Sequence, residues 1–410
     1  MQPKRVVITG VGLASPIGNT LPDALGALQS GRHGIHYMRD WERIGDMRTR
    51  LGGVVELDLS GRYPRKKIRS MGRVSLLATY ATEAAIADAR LDPELVSSGR
   101  VGLAYGSTTG SSDAMEEFCG TLFTNYSLKG LSANSYLKMM SNTCAANLGH
   151  FFQIRGRIIT TCSACTSGAQ AIGYAYESVK YGLQEVMVAG GAEELHFASA
   201  ATFDLMFATS AGYNERPDQS PRPFDAARDG LVIGEGAGTV VLESLDRALA
   251  RGATIHGEIL GYGTNCDGAH VTAPDENGMA GAMLLALQSA GLDPSAIDYV
   301  NAHGTATEIG DIAESQATRR VFGRAVPISS SKSFTGHTLG ACGAIELLYC
   351  LGMMQGRFLA PTRNLTQVDP RCADLDYVRE PRPAEPRIIM SNNFAFGGVN
   401  TSLILGRHDG

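Results

Sequence analysis

Apolar residues follow two alternating patterns along this chain. Short β-branched runs bounded by glycine read as buried strands, and stretches with apolar positions three and four apart read as helices. Strand-like runs occupy residues 5–9, 101–105, 158–161, 186–189 and 239–242, with a helical pattern over 76–89. After about residue 252 the order restarts: strand-like runs at 255–260, 299–302, 326–329 and 388–391, and helices over 279–290 and 340–354. The alternation predicts an α/β fold with a largely parallel sheet covered by helices. The restart predicts two pseudo-symmetric halves, residues 1–251 and 252–410. Arg100-Val101-Gly102-Leu103-Ala104-Tyr105-Gly106 resembles Asp298-Tyr299-Val300-Asn301-Ala302-His303-Gly304, and the helix after Cys165 has a counterpart in Gly340-Ala341-Cys342-Gly343-Ala344-Ile345.

With 410 residues, 44% of them hydrophobic, the chain can bury one large core or two domains. Its 49 glycines cluster in runs such as Gly190-Gly191, Gly234-Glu235-Gly236-Ala237-Gly238 and Gly397-Gly398, which read as tight turns beneath a packed site. The amino terminus moves straight into a strand and a glycine turn, and no run reaches the roughly 18 apolar residues of a membrane helix. No membrane insertion and a cytoplasmic location are therefore expected, with the eight cysteines as free thiols. A net charge of −5 argues against nucleic acid as the main partner. Residues 62–73 nevertheless carry Arg62, Arg65, Lys66, Lys67, Arg69 and Arg73 without an acid, either a solvated helix face or a surface that steers an acidic partner.

The candidate chemistry centres on Cys165. It stands where the run 157–161 gives way to a helical pattern carried by Ala169, Ile172, Tyr176 and Val179 and stopped by Gly182. This spacing places the cysteine in the helix's first turn. There free N–H groups and the helix dipole favour a thiolate, with pKa values of roughly 3.5–7.5. Further polar residues follow other strand-like runs, where ligands bind in open α/β sheets: His303, then Lys332 and His337, then Phe394-Ala395-Phe396-Gly397-Gly398.

Four motifs together resemble one family. They are Ala164-Cys165-Thr166-Ser167-Gly168; Asn301-Ala302-His303-Gly304-Thr305-Ala306-Thr307 with Gly310-Asp311 and Glu314; Ser331-Lys332-Ser333-Phe334-Thr335-Gly336-His337; and Asn392-Asn393-Phe394-Ala395-Phe396-Gly397-Gly398. Over essentially its whole length the chain resembles the β-ketoacyl-acyl carrier protein synthases, the elongating ketosynthases of fatty acid and polyketide assembly. That resemblance implies a thiolase-like fold with layered α-β-α-β-α architecture. It implies an enzyme that takes an acyl chain onto Cys165 and condenses it with malonyl on acyl carrier protein, releasing carbon dioxide. Neutral imidazoles of His303 and His337 would each donate an N–H to the enolate. One such donor contributes about 2.7–4 kcal/mol, and losing either ring should spare acylation more than condensation. The resemblance further implies a supporting charged pair of Lys332 with Glu314, and an oxyanion hole from the N–H groups of Cys165 and Phe396, with Phe396 as the gate. Thr305 and Thr307 would hold the phosphopantetheine arm, against the alternative of turn hydroxyls capping a helix. Phe394, Gly397 and Thr109 would border the substrate, and Arg65, Lys66 and Arg69, with Lys129, would dock the acidic carrier protein. No cofactor beyond the carrier's phosphopantetheine and no metal is implied. A dimer is, either of identical subunits or with a chain-length-factor homologue.

Two positions depart from the family pattern. Ala395 stands where the gate usually has glycine, and an added Cβ disfavours positive φ. Thr109 replaces the bulky aliphatic residue that limits acyl depth, which points to an unusual, long or polyunsaturated chain and a specialised polyketide or aryl polyene enzyme. Three rivals are weighed against this reading and set aside. Cys162 and Cys165 are spaced as a redox dithiol. A degradative thiolase would need a second cysteine in the carboxyl-terminal motif, which Phe394-Ala395-Phe396-Gly397-Gly398 lacks. A non-catalytic chain-length factor would not need Cys165, His303 and His337.

Overall fold

In the computed structural model, which describes residues 3–409, eleven strands join in one sheet among the described residues. The first half supplies, in chain order, Val6–Ala14, Val101–Gly106, Ile158–Thr161, Val186–Glu193 and Gly236–Ser244. In space they run third, second, fourth, fifth, first. The second half supplies Gly257–Cys266, Tyr299–Asn301, Pro327–Ser329, Ile388–Phe394 and Val399–Gly406, in the same spatial order. The two sets meet where residues 6–8 pair antiparallel with residues 257–259, and Asp376–Tyr377 extends the far edge of the second. A shared strand order across a seam of first strands is what a duplicated unit produces.

The sheet is mixed rather than largely parallel. Its flanks are parallel, whereas the central pairs from Ile388–Phe394 across to Val186–Glu193 are antiparallel. The reason is local: only the short turn 395–398 joins Ile388–Phe394 to Val399–Gly406, and so short a connection permits only antiparallel neighbours.

Helices Ser167–Lys180 and Cys342–Gly356 form the middle layer and touch strands of both halves. Arg73–Asp88 covers one outer face and Glu276–Ala290 the other, completing the five α-β-α-β-α layers. Glu276–Ala290 starts where the Asp275 carboxylate accepts from Gly278 N at 2.7 Å, an N-cap that satisfies one free donor. The middle helices approach closely because small residues face each other: a Cβ on Gly168 would lie 2.8 Å from the Gly340 carbonyl oxygen, and one on Gly343 would lie 2.7 Å from Ala169 Cβ. Leu339–Gly356 is long and apolar enough to cross a membrane, contrary to the sequence expectation, yet 89% of it is buried. It is a core helix, apolar all round because protein surrounds it.

Candidate active site

Cys165 sits on a tight elbow between Ile158–Thr161 and Ser167–Lys180. The helix begins at Ser167 with Thr166 as its cap, so the thiol precedes the first turn instead of lying within it. Ala164 turns the chain with φ +50°, a left-handed conformation that costs an L-residue about 1–2 kcal/mol. Short-range bonds hold it there: Thr166 Oγ1 donates to Ser163 O at 2.7 Å, Ser167 Oγ to Ala164 O at 2.7 Å, and Ser163 N to Ser167 Oγ at 2.9 Å.

Two histidines converge on the buried thiol. His337 follows the short helix Lys332–Thr335, and its main chain is pinned by donation from its own N to Val232 O (2.6 Å) and from Gly234 N to its O (2.9 Å). Its Nε2 lies 2.9 Å from Cys165 Sγ. His303 follows the strand Tyr299–Asn301, and its ring meets that of His337 edge-on, centroids 5.1 Å apart at 88°. Cys165, His303 and His337 each place a polar atom within 4.8 Å of the others. Both rings are buried, and burial followed by the Lys332 charge holds both imidazoles well below the usual histidine pKa. They are neutral at physiological pH. Condensation should accordingly hold its rate between pH 7 and 6 in a steady-state profile, and a fall with a midpoint near 6.5 would show that a ring protonates there.

The same burial acts the other way on the thiol, pushing Cys165 up to about 12 with partial relief from Lys332. A thiolate ionised in advance by a helix end is therefore not what this site holds. The arrangement is a thiol beside a neutral ring, with the 2.9 Å hydrogen bond as the route for its proton.

The charged support also differs from expectation. Lys332 Nζ pairs with Glu346 Oε1 at 2.5 Å, both side chains buried, and Asn393 Nδ2 donates to Glu346 Oε2 at 2.8 Å. Burial pulls Lys332 down, but the charge and hydrogen bond of Glu346, together with Cys342 and Glu314, more than offset it and keep the ammonium protonated. Glu314 is not its ion-pair partner: the two Glu314 oxygens accept from His303 N and Gly304 N, each at 2.7 Å. Glu314 thus clamps the turn that presents His303. A signal for Glu346 did exist, since it is the one charged residue in the run 340–354. A lone acid in an all-apolar helix needs a buried partner.

A cavity of about 370 Å³ opens onto Cys165, His303 and His337. Thr305, Thr307, Phe394 and Phe396 line it, and the Phe396 ring packs 5.4 Å from that of Phe203. Thr307 occupies the cap position of helix Glu308–Phe322 without a side-chain capping bond; its hydroxyl lies 3.0 Å from that of Thr305. The pair faces the cavity rather than closing a helix end. In the loop 394–398, expected from the resemblance to be a gate, Gly397 (φ +87°) and Gly398 (φ +73°) take the left-handed positions. Ala395 does not, so its methyl costs the loop nothing in this conformation.

Residues 3–248 match the family described as beta-ketoacyl synthase, N-terminal domain, and residues 256–366 match its C-terminal domain. The chain belongs to the β-ketoacyl synthase family. It is 42% identical over 404 residues to 3-oxoacyl-[acyl-carrier-protein] synthase 1 of Escherichia coli (strain K12), covering 98% of each chain. A crystal structure of a β-ketoacyl synthase from Burkholderia phymatum STM815 superposes with TM-score 0.96 at 52% identity, covering 99% of this chain and 100% of that one. The AntDE:AntF complex, a type II polyketide synthase acyl carrier protein with its ketosynthase bound to the hexaketide, superposes with TM-score 0.91 at 28% identity over the full length of both chains.

In this synthase Arg65 and Lys66 open the short helix Arg65–Ile68, with Arg69 directly after it, and all three are exposed. None of the three forms an ion pair among the described residues, whereas Arg62 pairs with Glu83 and Arg73 with Glu235. Lys129 is exposed on the loop after helix Ser112–Asn125. Thr109 is exposed in the single chain and is not among the residues that line the cavity holding Cys165. Cys162 donates its thiol to Thr108 O at 3.1 Å and forms no disulfide with Cys165.

Proposed function

We propose that this synthase carries out decarboxylative Claisen condensation of an acyl chain held on Cys165 with malonyl-acyl carrier protein, in fatty acid or type II polyketide assembly in the cytoplasm. The observation that carries this reading is the thiol and two neutral imidazoles meeting at the end of one cavity. The Cys165 proton passes to His337 Nε2 as sulfur attacks the carrier thioester, and then to the departing pantetheine sulfur, which leaves His337 neutral again. The N–H groups of Cys165 and Phe396 receive the thioester oxygen. Malonyl next occupies the same mouth, its arm against Thr305 and Thr307. Loss of carbon dioxide leaves an enolate whose oxygen takes an N–H from His303, a ring without a protein hydrogen bond among the described residues. Once Cys165 is acylated, His337 Nε2 no longer accepts the thiol proton, and the ring joins as a second donor after its own proton shifts from Nδ1 to Nε2. The enolate carbon attacks the acyl carbonyl, the carbon–sulfur bond breaks, and Cys165 takes up a proton. No cofactor beyond the carrier's phosphopantetheine enters these steps.

This assignment separates the two rings. His303→Ala should spare acylation and lower condensation by about 10²–10³-fold, whereas His337→Ala should slow both half-reactions. Intact-mass kinetics of acyl transfer beside product formation read the split, and equal effects of the two changes on acylation would reject it.

The unpaired cations on 65–69 are the docking surface for the acidic carrier. Reversing Arg65, Lys66 and Arg69 to Glu should raise KM for carrier-bound substrate about tenfold or more while leaving acylation by a small thioester unchanged. An unchanged KM would remove the patch from the reading.

A dimer fits the sheet edge at Ile158–Thr161, which pairs on one side alone; the chain also exposes Phe123 and Tyr136 at 64% each and Tyr126 at 86%. Exposed edges and apolar patches of this kind are ordinarily covered. The partner is a second copy or a chain-length-factor homologue.

A further inference from the structure

Glu193 ends the strand Val186–Glu193 and is buried, yet no step above uses it. Its Oε2 gathers donors from two separate segments: Thr108 N at 2.9 Å and Thr108 Oγ1 at 2.5 Å on one side, and Gly340 N at 3.0 Å on the other. Thr108 belongs to the loop after strand Val101–Gly106 in the first half. Gly340 lies in the 3₁₀ turn Leu339–Ala341, three residues beyond His337, in the second half. The turn has no slack at that point. A Cβ on Gly340 would stand 2.9 Å from Glu193 Oε2 and 2.7 Å from Thr108 N, and the Gly340 oxygen already packs against Gly168 and Gly191. Gly168 is three residues past the nucleophile. One carboxylate therefore ties the turn that carries His337 to the half of the molecule that carries Cys165.

We propose that Glu193 is a positioning residue that fixes His337 Nε2 against Cys165 Sγ by bracing Gly340 on Thr108. It touches no substrate, because it does not line the cavity. Removing it lets the 337–341 turn drift, and displacements near 1 Å at a reacting pair cost up to about 10²-fold. The inference rests on the functional reading above.

The full-length protein with an acyl-coenzyme A donor tests it, with Cys165 acylation followed by intact mass. Glu193→Ala should lower the maximal acylation rate about ten- to a hundredfold with the half-saturating donor concentration unchanged. Glu193→Gln keeps an oxygen able to accept from Thr108 and Gly340 and should restore most of the rate. If Glu193→Ala does not fold, Glu193→Asp, one methylene too short to span both segments, should show the loss in rate alone. Parental rates in the Ala or Asp variant, a change confined to half-saturation, or a Gln variant as slow as Ala would each overturn the positioning role. A parental protein that never acylates on Cys165 would overturn the functional reading with it.

Discussion

Cys165→Ser should lower chain elongation by at least about 10³-fold, with the acyl-enzyme no longer seen by intact mass. A hydroxyl is a far weaker acid than the thiol it replaces, and the base beside it is a poor one: burial and Lys332 hold His337 well below the usual histidine range. The 2.9 Å Sγ–Nε2 contact makes the two side chains one unit. Adding His337→Ala to the serine variant should accordingly cost little more for acylation, since groups that act together are grossly non-additive. Stopped-flow acylation of the parent, both single variants and the double gives the comparison. Parental elongation by the serine variant would remove Cys165 from the mechanism.

Much of this site was legible in the sequence. The positions of Cys165, His303 and His337 after strand-like runs sufficed to bring them together, because strand ends on one side of a sheet share a crevice. The repeated strand order followed from the repeated pattern for the same reason. Two features were read differently from the sequence, each being set by tertiary packing rather than by local spacing. The protonation state of Cys165 depends on burial from both halves, which outweighs a helix end that begins two residues later. The partner of Lys332 lies 14 positions away on the middle helix, whereas Glu314, which shares a motif with His303, has its oxygens engaged by two backbone donors.

Lys332→Met should both destabilise the protein and slow condensation, and the two effects can be separated. The ammonium and the Glu346 carboxylate are each buried and 2.5 Å apart. Removing the lysine strands Glu346 with Asn393 as its remaining strong donor, and an orphaned buried charge costs about 3–5 kcal/mol. Replacing both residues with apolar ones of similar volume, Lys332→Met with Glu346→Leu, should recover most of that stability, since neutralised buried pairs often cost nothing. Activity should not return with it. The Lys332 charge helps to keep His303 and His337 neutral and is the main influence opposing the burial of the Cys165 thiol. Without it the thiol is harder to ionise and the rings are more easily protonated, so acylation should fall and the condensation profile should lose its flat region toward acid pH. Urea denaturation of both variants beside their pH–rate profiles reads the two effects together. A double variant that regains stability and full activity would reduce the pair to a packing element, whereas stability without activity assigns the lysine to the electrostatics of the thiol and the two rings.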